Sequence, residues 1–241
     1  MKVSVIIPAA GASQRFGGKT KKIFERLKGR PVFIRALELF VNRDDVCQVQ
    51  LVAAEEDLPH IKEHYAANIG FMGVQLVAGG TDRTASVRNA LEKVDAEADL
   101  VCVHDAVRPC VSQLWIDEVF STAHSHGAAI LACPIHGTLK KVDGDQRIAG
   151  TADRAGLWEA QTPQVFARDL LREAYRAADG PATDDAALVE ALGRPVKVVR
   201  GDPRNVKITT RPDLAFAAAV VDALPQPKPK KSTGPFDEAQ W

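Results

Sequence analysis

The sequence Val3-Ser-Val-Ile-Ile-Pro-Ala-Ala-Gly11 decides the fold of this chain. Residues 3–8 form a mainly apolar run that predicts a buried strand, and Pro-Ala-Ala-Gly predicts a turn directly after it. Strands alternating with helices predict an α/β fold with a mostly parallel sheet covered on both faces. The other predicted strands are 49–54, 74–78, 100–104, 128–134 and 196–200. The predicted helices are 31–40, 84–94, 112–124, 168–178, 183–192 and 212 to about 224.

Ligands of such sheets bind beyond the carboxyl ends of the strands, which directs attention to segments 9–22, 79–86 and 105–109. The first segment contains Ala-Ala-Gly, then Arg15, then Lys22. Small residues after a strand let backbone N–H groups approach an anion, and Arg15 and Lys22 are suited to phosphate oxygens. An ordinary turn with solvated cations is the alternative.

The second segment, Gly79-Gly-Thr-Asp-Arg-Thr-Ala-Ser86, predicts a tight turn before a helix. Ser86 offers a hydroxyl for a nucleotide base, although a plain strand-to-helix connection also fits. In the third segment, Asp105 ends a buried strand, where a carboxylate can hold Mg²⁺ beside phosphates, and Arg108 can contact a phosphate. A helix-capping role is the alternative for Asp105. For His104, a hydrogen-bonded structural role is favoured over that of a general base.

Residues 139–148 interrupt the alternation and predict a β-hairpin with its turn at Asp143-Gly144-Asp145. A hairpin inserted in an α/β chain is expected to project as an arm and to pack against a partner subunit. Residues 161–164, Gln-Thr-Pro-Gln, indicate a loop. Lys207 lies between apolar residues on a predicted strand, either at an exposed edge or directed at a phosphate.

Composition excludes some classes of function. The chain has 241 residues, 46% of them hydrophobic, which is enough for one α/β domain with a substantial core. Its formal net charge of zero argues against broad binding to nucleic acid or anionic membranes. The spacing of the four cysteines matches no zinc site, and no apolar run approaches the roughly 20 residues of a membrane helix. A cytoplasmic protein is expected.

Six motifs occur in the order found in 2-C-methyl-D-erythritol 4-phosphate cytidylyltransferases, which the chain resembles from residue 3 to 224. The motifs are PAAG-x3-R-x6-K, GGTDRTASV, VHDAVRP, DRxGLW-x2-QTPQVF, TDDA and NVKITT. The resemblance implies a Rossmann-like nucleotidyltransferase fold, a Mg²⁺ requirement, and a homodimer formed through the hairpin arm, about 136–155. It implies one domain, 1–224, followed by a Pro- and Lys-rich tail, 225–241, that is predicted to be disordered.

The resemblance also implies a role for each matching residue. It implies that the catalytic cations around the triphosphate are Arg15, Lys22 and Lys207. It also implies that Asp105 binds Mg²⁺. The implied cytidine and ribose residues are Ala9, Ala10, Gly11, Gly80, Asp82, Ser86 and Ala106. The implied acceptor residues are Arg108, Thr138, Arg154, Thr162 and Thr183, with Thr138 and Arg154 from the other subunit. Lys21-Lys22-Ile23 departs from the usual Pro-Lys-Gln, so that Lys19 and Lys21 compete with Lys22 for its role.

The implied reaction is transfer of CMP from CTP to a methylerythritol phosphate, with pyrophosphate as the leaving group. Ribitol 5-phosphate is the alternative acceptor, but Ser86-Val87 and Thr138-Leu-Lys-Lys favour methylerythritol phosphate. A catalytically silent nucleotide-binding subunit is a second alternative, which the complete set of cations and Asp105 disfavours. Nucleic-acid binding through the lysine-rich segments is the third, and the neutral net charge disfavours it.

Overall fold

The computed structural model of the protein describes residues 1–11, 16–17 and 20–227. The strands are β1 (Val3–Pro8), β2 (Arg26–Leu27), β3 (Arg30–Pro31), β4 (Val46–Ala53), β5 (Gln75–Ala78), β6 (Leu100–Val103), β7 (Ala128–Pro134), β8 (Leu139–Val142), β9 (Ile148–Ala152), β10 (Trp158–Ala167) and β11 (Lys197–Arg200). The α-helices are α1 (Val32–Glu38), α2 (Leu58–Phe71), α3 (Arg83–Leu91), α4 (Gln113–His126), α5 (Arg168–Ala177), α6 (Asp185–Ala191) and α7 (Arg211–Val220). Arg15 and most of the predicted tail lie outside the described residues.

Seven of the strands form one sheet in the order β11-β7-β10-β6-β1-β4-β5. All neighbours in it are parallel except β10, which runs antiparallel to both β6 and β7. The α/β fold with a mostly parallel sheet is therefore confirmed. Because the carboxyl ends of β1, β4, β5 and β6 lie at one edge, the loops that follow them converge there.

The central strand β1 contributes to hydrophobic clusters on both faces of the sheet. Val5 and Ile7 pack in a cluster with Phe33, whereas Ile6 packs in a second cluster with Leu171. Successive side chains of a strand point to opposite faces, so a strand buried on both sides is apolar almost throughout. Each fully buried side chain of this kind stabilises the fold by about 1.5–3 kcal/mol. Residues 3–8, the run that predicts the fold, therefore contribute to the hydrophobic core on both faces of the sheet.

Two local predictions are wrong. Residues 161–164 lie within β10 and not in a loop, at an irregularity where the pairing register with β7 shifts between Ala160 and Gln164. Lys207 does not lie on a strand, because the described segment 201–209 contains none. That segment is an irregular connection with a turn at 203–205, and hydrogen bonds such as the one from the Ile208 N–H to the Val107 carbonyl hold it in place.

The predicted hairpin arm is present as an antiparallel pair, β8 and β9, separate from the main sheet. Its turn is closed by the Asp143 carboxylate, which accepts hydrogen bonds from the Asp145 and Arg147 N–H groups. Val142 and Ile148 are 56% and 68% exposed. A two-stranded arm with apolar side chains in solvent lacks the packing that normally stabilises a hairpin.

Helix α7, which follows the Lys207 segment, begins with a capping box. Asp213 Oδ2 accepts hydrogen bonds from the Thr209 N–H, the Thr209 hydroxyl and the Thr210 N–H at 2.9, 2.7 and 2.7 Å. Burial opposes ionisation of Asp213, but these hydrogen bonds outweigh it and lower its pKa to about 2.

We expect Asp213→Ala to lower the free energy of unfolding by about 1 kcal/mol at neutral pH. A lowered carboxyl pKa stabilises the fold above the unfolded-state pKa of about 4, and this stabilisation is lost as the pH falls towards 2. The wild type and the variant should therefore converge in stability at low pH, measured by denaturant titration at several pH values. A difference that stayed constant down to about pH 2 would contradict this role.

No helix in residues 1–11, 16–17 and 20–227 combines the length and the apolar character that a bilayer crossing requires.

Candidate active site

A cavity of about 330 Å³ opens at the carboxyl edge of the sheet, between the loops that follow β1, β5 and β6. It contains most of the predicted nucleotide and phosphate residues. These are Ala9, Ala10, Gly11, Lys22, Gly80, Asp82, Ser86, Asp105 and Lys207. Three loops distant in sequence therefore form one wall, as the positions of their motifs predict.

The turn between β5 and α3 requires its two glycines because of close contacts. A Cβ on Gly80 would lie 2.5 Å from the Ala85 Cβ, and one on Gly79 would lie 2.9 Å from the Ala10 Cβ. Asp82 caps α3 by accepting from the Ala85 N–H at 2.8 Å. The Ser86 hydroxyl donates to the Asp82 carbonyl at 2.7 Å and accepts from the Gly80 N–H at 3.0 Å. Ser86 thus lies at the cavity wall with its hydroxyl proton engaged in shaping this loop.

The two lysines that follow the first loop have different surroundings. Lys22 lines the cavity. Lys21 forms ion pairs with Glu56 at 3.0 Å and with Asp57 at 2.8 Å. Burial disfavours the charged form of Lys21, but these two carboxylates outweigh that effect and raise its pKa. Of the two, Lys22 is therefore the one placed for a ligand; Lys19 lies outside the described residues.

A second cavity of about 230 Å³ adjoins the first. Three predicted acceptor residues line it, namely Arg108, Thr162 and Thr183. The two cavities share Arg83, Asp105 and Lys207. These three side chains therefore lie where a ligand in one cavity would meet a ligand in the other.

Asp105 is the electrostatic centre of this shared wall. Its carboxylate lies 2.9 Å from the Lys207 Nζ, 3.4 Å from the Arg108 Nε and 3.6 Å from the Arg83 Nε. Burial raises the pKa of Asp105, but Lys207, Arg83 and Arg108 together hold it well below its usual range. Asp105 is consequently ionised, and it does not cap a helix, since Ser112 caps α4. Ala106, the next residue, is buried behind the wall with its N–H bonded to the Pro8 carbonyl.

His104 is structural, as the sequence favours. Its ring is fully buried, with Nε2 2.9 Å from the Arg108 carbonyl and Nδ1 3.0 Å from the Thr162 hydroxyl. Burial lowers the pKa of His104 to about 4, which leaves a neutral ring at physiological pH. The Thr162 hydroxyl in turn accepts the Asp105 N–H at 3.1 Å. His104 and Thr162 therefore fix the turn that carries Asp105 and Arg108.

The two predicted arm residues lie apart from these cavities. Thr138 and Arg154 are exposed, and Arg154 donates a hydrogen bond to the His136 carbonyl at the base of the arm. Neither side chain contributes to the two cavities described above. Within one copy of the chain, Thr138 and Arg154 therefore lie away from the cavities that Asp105 lines.

Several site residues were missed from the sequence. Arg83 lines both cavities, and Gln161, Gln164 and Asp184 line the second. The signal for Arg83 was its position beside Asp82 in the first turn of a helix at the ligand-binding edge. The local sequence of residues 161–164 indicates a loop, whereas β10 buries both glutamines.

The comparisons with known proteins agree with this geometry. Residues 3–223 match the family model of 2-C-methyl-D-erythritol 4-phosphate cytidylyltransferase. The relative of that name from Rhodopirellula baltica is 44% identical, over 91% of this chain and 95% of its own length. The one from Bacillus velezensis is 40% identical, over 92% and 97% respectively. The crystal structure of the Thermus thermophilus protein of that name is 34% identical and superposes with a TM-score of 0.77, covering 92% of this chain and 100% of that one.

Proposed function

Because the chain belongs to the 2-C-methyl-D-erythritol 4-phosphate cytidylyltransferase family, we propose that its two adjoining cavities bind the two substrates of that reaction. The enzyme transfers the cytidylyl group of CTP to 2-C-methyl-D-erythritol 4-phosphate and releases pyrophosphate, in the non-mevalonate route to isoprenoid precursors. The observation that supports the assignment of substrates is the shared wall of Asp105, Lys207 and Arg83.

CTP occupies the larger cavity in this proposal. Backbone groups at Ala9 to Gly11 and at Gly80 contact the nucleotide, because the small residues there allow close approach. Lys22, Lys207 and Arg15 bind the triphosphate. The acceptor occupies the smaller cavity, with its phosphate near Arg108 and the hydroxyl of Thr183.

The reaction is an in-line displacement at the α-phosphorus of CTP. An oxygen of the acceptor phosphate forms the new P–O bond as the bond to the β-phosphate oxygen breaks, and pyrophosphate leaves with the electron pair. The acceptor phosphate is already ionised at neutral pH, so no general base is needed, which agrees with the engaged, neutral ring of His104. The protein lowers the barrier by placing two anions together and by stabilising the negative charge that develops.

Mg²⁺ is part of the proposal, with Asp105 as its protein ligand. Within the described residues no group of three or more His, Cys, Asp or Glu side chains is arranged to hold a metal. Mg²⁺ in nucleotide enzymes commonly takes only one or two carboxylates and completes its shell with phosphate oxygens and water. One ionised carboxylate between two phosphate cavities fits that mode. When bound, the ion would neutralise charge on the phosphate oxygens.

The deciding experiment measures pyrophosphate release with CTP, ATP, GTP and UTP, each with methylerythritol phosphate or ribitol 5-phosphate as acceptor. We expect release with CTP and methylerythritol phosphate to exceed every other combination at least tenfold in kcat/KM. A higher kcat/KM with ribitol 5-phosphate than with methylerythritol phosphate would identify ribitol 5-phosphate as the acceptor. Absence of pyrophosphate release with every pair would favour a catalytically silent nucleotide-binding subunit.

We expect Lys22→Ala to lower kcat about 10²-fold, because a positioned cation at the triphosphate is removed. Lys21→Ala is the matched control; Lys21 and its ion-pair partners Glu56 and Asp57 line neither cavity, and kcat should change less than about threefold. Steady-state pyrophosphate release measures both variants. Equal losses in the two variants would contradict the placement of Lys22.

We propose a homodimer in which the arms exchange contacts and bring Thr138 and Arg154 to the acceptor cavity of the partner. The exposed apolar side chains of Val142 and Ile148 support this, as does the separation of Thr138 and Arg154 from the site of their own chain.

We expect Val142→Asp/Ile148→Asp to be monomeric by light scattering and to lose kcat about 10²-fold, because the cavity then lacks the partner's residues. Phe71→Asp, at a 95% exposed position on α2, is the control and should change neither property. A variant that remains dimeric, or a fully active monomer, would contradict the exchange.

We also infer a reducing, cytoplasmic setting. All four cysteines are free, and burial raises the pKa of the Cys110 thiol to about 12 and keeps it unreactive. Thiol titration of the denatured protein, purified without reductant from whole cells of its source organism, should find four free thiols. Fewer than four would contradict the inference.

A further inference from the structure

Arg83, the first residue of α3, lies between two carboxylates, one that lines the cavities and one that is fully buried. Its Nη2 is 2.7 Å from the Asp185 Oδ2, and its Nε is 3.6 Å from the Asp105 Oδ1. Arg83 lines both cavities, and its side chain is 25% exposed. Asp105 faces both cavities and is shared with Arg108 and Lys207, whereas Asp185 is fully buried. The guanidinium is therefore anchored on one side and faces the reacting groups on the other.

The Asp185 carboxylate is itself rigidly held. Its second oxygen accepts a hydrogen bond from the Tyr175 hydroxyl at 2.5 Å. The N–H groups of Asp185 and Ala186 both donate to the Gln164 Oε1, at 3.1 and 3.0 Å. A buried carboxylate is costly unless it is paired and hydrogen-bonded, so the ion pair with Arg83 offsets the cost of burying Asp185.

From this geometry we propose that Arg83 is a further phosphate-binding catalytic residue, and that buried Asp185, with Tyr175, is the positioning pair that holds it at the junction of the two cavities. The inference rests on the proposed function, since it concerns the phosphates of that reaction. Arginine suits this place because its planar fork can bind one carboxylate and present further N–H donors to a phosphate oxygen.

The two contacts of Arg83 predict different behaviour when substrates bind. Phosphates in either cavity compete for the cations around Asp105, whose contact with Arg83 is long and open to the cavities. The contact between Arg83 and Asp185 is short, and Asp185 is buried away from both cavities. Arg83 therefore keeps its position while its charge becomes available to the α-phosphoryl group, which is the preorganisation that stabilises developing charge.

The test is a double-mutant cycle with Arg83→Gln, Asp185→Asn and the pair, using kcat and KM from pyrophosphate release. We expect Arg83→Gln to lower kcat about 10²-fold and Asp185→Asn about 10- to 10²-fold, with KM for CTP changed less than about threefold. The double variant should be no worse than Arg83→Gln alone, because Asp185 acts only through Arg83. Asp169→Asn, a carboxylate on the surface of α5, is the control and should retain full activity.

A structural role for Asp185 makes a different prediction. In that case Asp185→Asn lowers the melting temperature but leaves kcat unchanged below it, or the losses of the two single variants multiply in the double variant. Either result would overturn the inference. If Asp185→Asn does not fold, Tyr175→Phe removes only one hydrogen bond; a three- to tenfold loss of kcat supports the positioning role, and an unchanged kcat overturns it.

The proposed function and this inference fail in distinguishable ways. An active wild type whose variants show the structural pattern overturns the role of Arg83 and Asp185 alone. A wild-type chain that releases no pyrophosphate with any substrate pair overturns the proposed function and, with it, the role assigned to Arg83 in that reaction.

Discussion

Lys207→Ala is expected to lower kcat about 10³-fold, at the upper end of the effect of removing one electrostatic donor. Lys207 lines both cavities and its ammonium lies 2.9 Å from the Asp105 carboxylate, closer than either Arg83 or Arg108. Removing it withdraws positive charge from both substrates at once. Asp105 stays ionised in the variant, because Arg83 and Arg108 remain beside it.

The division between kcat and KM tests this explanation. Stabilisation of charge that develops during transfer predicts a large loss of kcat with KM for CTP raised less than about tenfold. Lys197→Ala, at an exposed position on β11, is the matched control and should behave as wild type. A variant at position 207 with normal kcat and only a raised KM would show that Lys207 contributes ground-state binding alone.

The main features of this site follow from local sequence. A buried strand followed by Pro-Ala-Ala-Gly, and a pair of glycines before a capped helix, each predict their structure from neighbouring residues alone. Their common location follows from the rule that loops at the carboxyl ends of parallel strands converge. The same rule predicts Asp105 at this edge, and the structure confirms its position there.

Polar residues buried by distant partners were harder to predict. Thr162 and Gln164 are 5% and 1% exposed on β10, where they bond to His104 and to the segment 184–186. In sequence, such residues resemble a loop because nothing local indicates their partners. Arg83 was missed for a related reason: its anchor, Asp185, is 102 residues away along the chain.

Helix α2 was absent from the predicted elements although Leu58, Ile61, Tyr65 and Ile69 recur at helical spacing and pack against the core. Of its 14 residues, only Ile61 is fully buried. The apolar Phe71 on its exposed face, 95% exposed, weakens the contrast between an apolar and a polar face on which sequence prediction depends. The error at the segment carrying Lys207 is the opposite one. Its alternating apolar residues predict a strand, but the segment pairs with no strand of the sheet.

Asp105→Asn is expected to lower kcat by about 10³-fold or more and, at the same time, to increase stabilisation by pyrophosphate. The substitution keeps the size of the side chain but removes the charge that Lys207, Arg83 and Arg108 share. Turnover falls because the proposed Mg²⁺ ligand is lost. The three cations then lack their common carboxylate, which should lower the free energy of unfolding by about 2 kcal/mol.

The response to pyrophosphate separates a ligand-binding role from a purely structural one. Without Mg²⁺, the carboxylate of the wild type repels the anion, so pyrophosphate should raise the melting temperature of Asp105→Asn more than that of the wild type. Because the pKa of Asp105 lies well below its usual range, the difference in turnover should be constant between about pH 6 and 9. Asp222→Asn, whose carboxylate pairs with Lys28 at the surface, is the control and should show neither effect. Equal stabilisation of wild type and Asp105→Asn by pyrophosphate would mean that the anion binds away from these cations, and the shared wall would then not be the place where the two substrates meet.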